Sequence, residues 1–194
     1  MTTADHAASN PLPGVSTTKF AFWLFLASEV LFFAGLISAY VLMRIVSPSW
    51  PDVSELLNIP LVAANTSILL VSSVTMVYAL ASIEAGDQSK LRRFLIATAV
   101  LGTIFVSIQA VEWVQLIGEG VSVSNNVFGS TFYVLTGFHG LHVLIGILFL
   151  FLTVYRAFRG RYTRTEHGGV ELMGLYWHFV DIVWIFLFTI IYLV

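Results

Sequence analysis

Six titratable side chains, Glu29, Glu112, His139, His142, His178 and Asp181, lie inside long apolar runs of the sequence. A charge at the centre of a membrane-spanning helix costs roughly 2.5–3.5 kcal/mol on insertion scales, so each of these groups needs a physical reason to be there. Two spacings narrow the reasons. His139 and His142 are three residues apart, as are His178 and Asp181, which puts each pair on one face of a helix. At about 1.5 Å per residue, Glu29, His142 and Asp181 all fall near mid-depth of their runs. A buried polar cluster of Glu29, His139, His142, His178 and Asp181 joining three helices is therefore expected. Gly137 and Gly140, beside the histidines, are expected to let a neighbouring helix approach closely.

Such a cluster could do several kinds of chemistry. A di-iron centre calls for two Glu-x-x-His motifs and about four carboxylates at one level, and the sequence contains no Glu-x-x-His. A bis-histidine haem needs only His142 and His178 facing each other. A proton relay needs steps across the whole membrane, and one half of the depth offers few. The fourth reading is mutual satisfaction, with Glu29 in its neutral acid form bonded to an imidazole and holding helices together. Glu112, beside Gln109 and Trp113, reads as an interface or packing residue. Asn65, Thr66 and Ser67 form a glycosylation pattern inside an apolar run, where bonds to backbone and neighbouring helices are the better explanation.

The elements that must position these groups follow from composition. Of the 194 residues, 58% are hydrophobic and 10% charged, against about a quarter charged in soluble domains. This is the balance of an integral membrane protein. Five apolar stretches, Phe20 to Met43, Pro60 to Ile83, Phe94 to Ile117, Phe132 to Tyr155 and Leu172 to Val194, each have about the length a helix needs to cross the hydrocarbon core. They are too long for membrane strands, which predicts an all-α bundle of five transmembrane helices with short connections. Residues 1–18 are polar, lack the pattern of a signal peptide and read as a mobile tail ahead of a membrane domain over 19–194. The absence of cysteine excludes disulfides and thiolate chemistry, and a net charge of -2 without a basic run speaks against nucleic acid. Lys19, Lys90, Arg92, Arg93, Arg156, Arg159, Arg161 and Arg164 fall on one side of the alternating spans and Arg44 alone on the other. The positive-inside rule then predicts a cytoplasmic N-terminus and an outside C-terminus.

Four blocks, FWLFLASEVLFFAGLISAY (Phe22 to Tyr40), NTSILLVSS (Asn65 to Ser73), GSTFYVLTGFHGLHVLIG (Gly129 to Gly146) and YWHFVDIVWIFLF (Tyr176 to Phe188), in this order, closely resemble subunit III of the haem-copper terminal oxidases, the cytochrome c oxidase type. The resemblance implies a subunit without redox centres or catalytic residues. It would sit directly against subunit I of a proton-pumping oxygen reductase, in a complex that also holds subunit II and whose haem and copper belong to the partner subunits. Its implied roles are to stabilise subunit I, support proton uptake and bind structural phospholipid during aerobic respiration, as a multi-pass protein of a prokaryotic inner (plasma) membrane. Glu29 matches the family's buried carbodiimide-reactive glutamate and His142 the histidine beside it. Arg156 and Arg159 match basic positions that meet lipid phosphate, and Arg161 and Glu171 fall at polar positions of the family. Many members have two further helices at the N-terminal side, which form a lipid-filled cleft with the other five, and this chain begins at the equivalent of the third. Subunit III of a quinol oxidase and a free-standing membrane haem or metal redox protein are the alternatives.

Overall fold

The computed structural model describes residues 16–124 and 126–194. Most of the polar tail expected over residues 1–18 lies outside the described residues, and the first helix begins at Thr17. The helices are α1 (Thr17–Val46), the single turn α2 (Val53–Leu56), α3 (Ile59–Glu84), α4 (Gln88–Gly118), α5 (Val127–Phe158) and α6 (Gly168–Phe188). The last continues as a π-helical turn over Thr189–Leu193. Five helices are long and apolar enough to cross a membrane, and no strand occurs among the described residues.

Four of the five long helices begin ahead of their apolar stretches because polar residues cap their starts. Ser16, Asn58, Asp87 and Asn126 stand at N-caps, and their side chains accept from the backbone N–H three residues on. That satisfies donors which lack a partner inside the helix. At Asp87 the bonds from the Lys90 amide and side chain hold the carboxyl below its usual range. The cap therefore survives until the pH falls through that lowered value. α3, α4 and α5 all end in the same motif, with Gly86, Gly120 and Gly160 at positive φ. The following amide in each case reaches back to the carbonyl five residues earlier, as in Asp87 N–H to Ser82 O at 2.8 Å.

The helices alternate in direction, as contacts at the two ends show. At one end Lys19 meets Glu171, Gln88 bonds to the Tyr162 carbonyl and Arg92 to that of Ala157. At the other, Arg44 bonds to the Val194 carbonyl and the Tyr133 hydroxyl to that of Val121. We call these the basic end and the acidic end. α6 is the inner helix, packed on α3 and α5, with α4 running along α3 and α5, and α1 laid against α5 and α6 from outside. Only 11% of the most apolar window of α1 is buried, against 56% for α6.

Trp177 and Trp184, two turns apart on α6, fix this arrangement. Both indoles are fully buried, and each N–H donates to a hydroxyl of α3, Ser72 Oγ for Trp177 and Thr66 Oγ1 for Trp184, both at 2.9 Å. Those hydroxyls pass their own protons to the carbonyls of Leu69 and Val62. Asn65 reaches the Phe105 carbonyl at 3.1 Å, so this segment bonds within the bundle. Of the two glycines expected to admit a neighbouring helix, Gly137 does so, since a Cβ there would stand 3.2 Å from the Trp113 ring of α4, while one at Gly140 meets open space; the tightest contacts are at Gly102 and Gly146, where a Cβ would stand 2.6 and 2.9 Å from the Trp177 ring.

Gly102→Ala and Gly146→Ala therefore overpack a ring that cannot retreat, and each should cost about 1–3 kcal/mol. Gly140→Ala should change stability by less than about 0.5 kcal/mol. Thermal unfolding of the purified chain in a non-ionic detergent, followed by tryptophan fluorescence, measures all three.

Candidate functional site

The apolar face that α1 turns to α5 carries Glu29 and Phe33, and between them they enclose His142. Glu29 Oε2 lies 3.0 Å from His142 Nε2, with the two side chains 20% and 13% exposed. His142 Nδ1 lies 2.7 Å from the Phe138 carbonyl, which can only accept, so Nδ1 carries a hydrogen. Nε2 is then left to share one proton with the carboxyl. Whichever atom holds that proton, the pair is neutral overall, which is the condition for placing a carboxyl and an imidazole at mid-depth in hydrocarbon. The Phe33 and Phe32 rings lie 5.0 and 6.2 Å from the imidazole centroid, and Tyr176 on α6 donates to the His142 carbonyl at 3.0 Å.

The pair forms one wall of an apolar groove of ≈ 590 Å³ between α1, α5 and α6. Phe22, Phe25, Phe149 and Met173 line its length, and Arg156 and Tyr162 stand at the basic end. Arg156, Arg159 and Arg161 continue from there around a polar recess with Tyr155 and Tyr162. Arg159 is held over the Tyr155 ring and donates to its hydroxyl at 2.8 Å. Glu171 closes the same end between Lys19 at 2.5 Å and His167 at 3.4 Å.

The other residues of the expected cluster lie elsewhere, so the structure divides one site into three. His139 is buried beside Trp184, ring centroids 4.8 Å apart, with Nε2 3.2 Å from the Val180 carbonyl. His178 faces α3, where Nδ1 meets Ser73 Oγ at 2.7 Å, and the buried Asp181 stands on the same side of α6, close to the same hydroxyl. Two residues separate Tyr176 from His178, about 200° around the helix, so His178 points away from His142 and the two do not form a facing axial pair. No group of three or more His, Asp or Glu side chains gathers closely enough to hold a metal among the described residues. Glu112, read as a packing residue, is 3% exposed. Its Oε2 accepts from Gln109 Nε2 at 2.5 Å and from the Tyr192 hydroxyl at 2.9 Å.

Sequence reasoning did not single out Ser73, Tyr176 or Tyr192. Ser73 carried a usable signal: in the antiparallel α3–α6 contact the bonded residue numbers sum to nearly a constant, and Ser73 with His178 continues Thr66 with Trp184 and Ser72 with Trp177. Tyr192 had none, because the π turn that brings its hydroxyl to Glu112 leaves no mark in the hydrophobic period.

The family model described as cytochrome c oxidase subunit III matches residues 7–194. Cytochrome c oxidase subunit 3 of Thermostichus vulcanus is 38% identical over 190 residues, covering 97% of this chain and 91% of that protein. The protein of the same name from Synechocystis sp. is 43% identical, over 88% of this chain and 72% of its own length. The mouse protein is 39% identical over 90% of this chain and 68% of its own.

Glu29→Ala and His142→Ala should each lower unfolding stability, and a double-mutant cycle should return a coupling of about 0.6–1.7 kcal/mol, the range of interhelical hydrogen bonds in membranes. Unfolding of the two single variants and the double variant in detergent gives the cycle, and a coupling near zero would mean that the pair does not hold α1.

Proposed function

Because the chain belongs to the cytochrome c oxidase subunit III family, we propose that it is the non-redox subunit III of a proton-pumping haem-copper oxygen reductase. In this reading it binds directly to subunit I, within a complex that includes subunit II, and haem and copper reside in those partners. It lies in a prokaryotic plasma membrane with the basic end in the cytoplasm and the acidic end outside, as the distribution of Lys and Arg favours. Its work is to stabilise subunit I, to support proton uptake into it and to hold structural phospholipid.

The observation that carries the reading is the groove between α1, α5 and α6. It is apolar along its length, and a guanidinium stands at the end where a phosphate would lie, with further arginines beside it. Those are the requirements of a phospholipid: hydrocarbon contact for the acyl chain and charge-assisted bonds for the headgroup. The neutral Glu29–His142 pair fits the same role, since it closes the deep part of the groove without presenting a net charge to an acyl chain. The haem alternative needs a free ring nitrogen on each of two facing histidines. Both nitrogens of His142 are engaged, and His178 is held by Ser73 on another side of α6.

Three measurements test the proposal. The chain purified alone should show no Soret band, and a retained band lost on changing His142 or His178 would overturn the non-redox reading. Native mass spectrometry should find bound anionic phospholipid that is depleted in an Arg156→Ala, Arg159→Ala double variant. Glu29→Ala in the assembled oxidase should leave initial oxygen reduction close to wild type while activity decays faster during sustained turnover. Immediate and complete loss in a fully assembled complex would count against a supporting role.

A further inference from the structure

Among the described residues, no helix of the chain covers the outward side of α6 between α1 and α3: α1 lies on α5 and α6, and α4 along α3 and α5. That side is a stripe of half-buried Leu175 and His178 followed by Ile182 and Ile185, which are 53% and 41% exposed. Leu70 and Val74 of α3 border it and are exposed as well. Aliphatic side chains suit lipid as well as they suit another helix, so they decide nothing. The histidine does.

His178 stands ten residues past the start of its span at Gly168 and fifteen before the end at Leu193, near mid-depth and somewhat toward the basic end. Its Nδ1 is bonded to Ser73 Oγ at 2.7 Å. Its Nε2 makes no hydrogen bond within the chain, yet it is not among the polar atoms that the fold encloses, so it reaches the surface. Exposed hydroxyls in the spans are treated differently. Ser28, Ser38, Ser67, Ser107 and Thr189 each return their proton to a carbonyl three or four residues back in their own helix, so they show hydrocarbon no free donor. His178 Nε2 has no such outlet, and the bilayer core holds no water to serve it.

We infer that the seam of α3 and α6 receives a transmembrane helix of a partner subunit, which presents an uncharged hydrogen-bonding side chain, a hydroxyl or a carboxamide, to His178 Nε2. The inference rests on the reading of the chain as one subunit of a membrane complex and adds the face by which it is held. The chemistry of the occupant follows from the atom it must meet. Nε2 donates or accepts according to which way the bond with Ser73 runs, and a hydroxyl or a carboxamide can answer either. Neither brings a charge into hydrocarbon. A phospholipid tail has no polar group at this depth. A second copy docked through the same face in the same membrane orientation would set Nε2 against an Nε2 in the same hydrogen-bonding state, while Asp181 beside it is enclosed by the fold.

The test uses the chain in its native membrane with its partners. p-Benzoylphenylalanine replaces Ile182, one turn from His178 on the exposed stripe, the membranes are irradiated, and the adducts are identified by mass spectrometry. A cross-link to a membrane-spanning segment of a different polypeptide is expected, with Ser, Thr, Asn or Gln in that segment. His178→Phe, which keeps a ring and removes both nitrogens, should lower the yield roughly threefold or more. Should that variant fail to fold, Ile182→Trp serves instead, since it alters only an exposed position. The purified complex should then retain roughly a fifth of this chain or less, with the chain's own thermal unfolding in detergent unchanged. Lipid adducts alone, a cross-link to a second copy, a cross-linked segment without such a residue, or a yield that His178→Phe leaves unchanged overturns the inference, and so does full retention of Ile182→Trp. Lipid adducts alone from a chain that still co-purifies with haem- and copper-bearing subunits would remove only the docking face. A cross-linked partner from outside any oxidase would instead sink the subunit III reading and keep the docking face.

Discussion

Trp177 is the contact on which the rest of the bundle depends. In lipid the helices gain little by hiding apolar surface from one another, so close packing and hydrogen bonds between them must hold the fold. The Trp177 indole supplies both at once. Its faces and edges fill the space left by the missing side chains of Gly102 on α4 and Gly146 on α5, and its N–H is spent on Ser72 of α3. One side chain of α6 thereby fixes the distance to three other helices. The register it sets brings Trp184 to Thr66 two turns further on and His178 to Ser73 beside it.

α1 is attached to this four-helix unit by a different principle. It buries only Leu26, Phe33 and Tyr40, too little for packing alone to define its position. Polar contacts at three depths do so: Lys19 with Glu171 at the basic end, Glu29 with His142 at mid-depth, and Arg44 with the Val194 carbonyl at the acidic end. Between the first two, α1 stands off from α5 and α6 and leaves the groove. The buried glutamate is therefore a fastening whose geometry keeps a cavity open, and its neutrality as a pair is what permits hydrocarbon on the open side.

Much of this was legible in the sequence, and the reason is the bilayer. Hydrocarbon admits few backbone solutions, so run length and composition were enough for five helices, and the depth count was enough to bring Glu29 level with His142. What the sequence did not disclose depended on rotation about each helix axis. A spacing of three says that His139 and His142 share a broad face, yet His139 turns to Trp184 and Val180 while His142 turns to Glu29. Likewise Gly137 and Gly140 sit beside the histidines, but Gly146, one and a half turns on, is the residue that faces Trp177. Depth is a one-dimensional quantity that a residue count gives directly; azimuth is fixed by large side chains on other helices, which no local pattern encodes.

The two buried glutamates show how burial alone fails to classify an acid in a membrane protein. Glu29 and Glu112 both sit in apolar runs, and both would be scored as misplaced charges. Glu29 shares a proton with an imidazole and faces an apolar groove, so it stands as one half of a neutral pair and its environment asks for no further ion. Glu112 receives two donors on one oxygen, from Gln109 on its own helix and from Tyr192 in the turn that follows α6, so it ties the end of α4 to the end of the chain. The distinction rests on what each carboxyl oxygen touches: the same residue type meets an imidazole beside an open groove in one place and closes an amide and phenol network inside the bundle in the other.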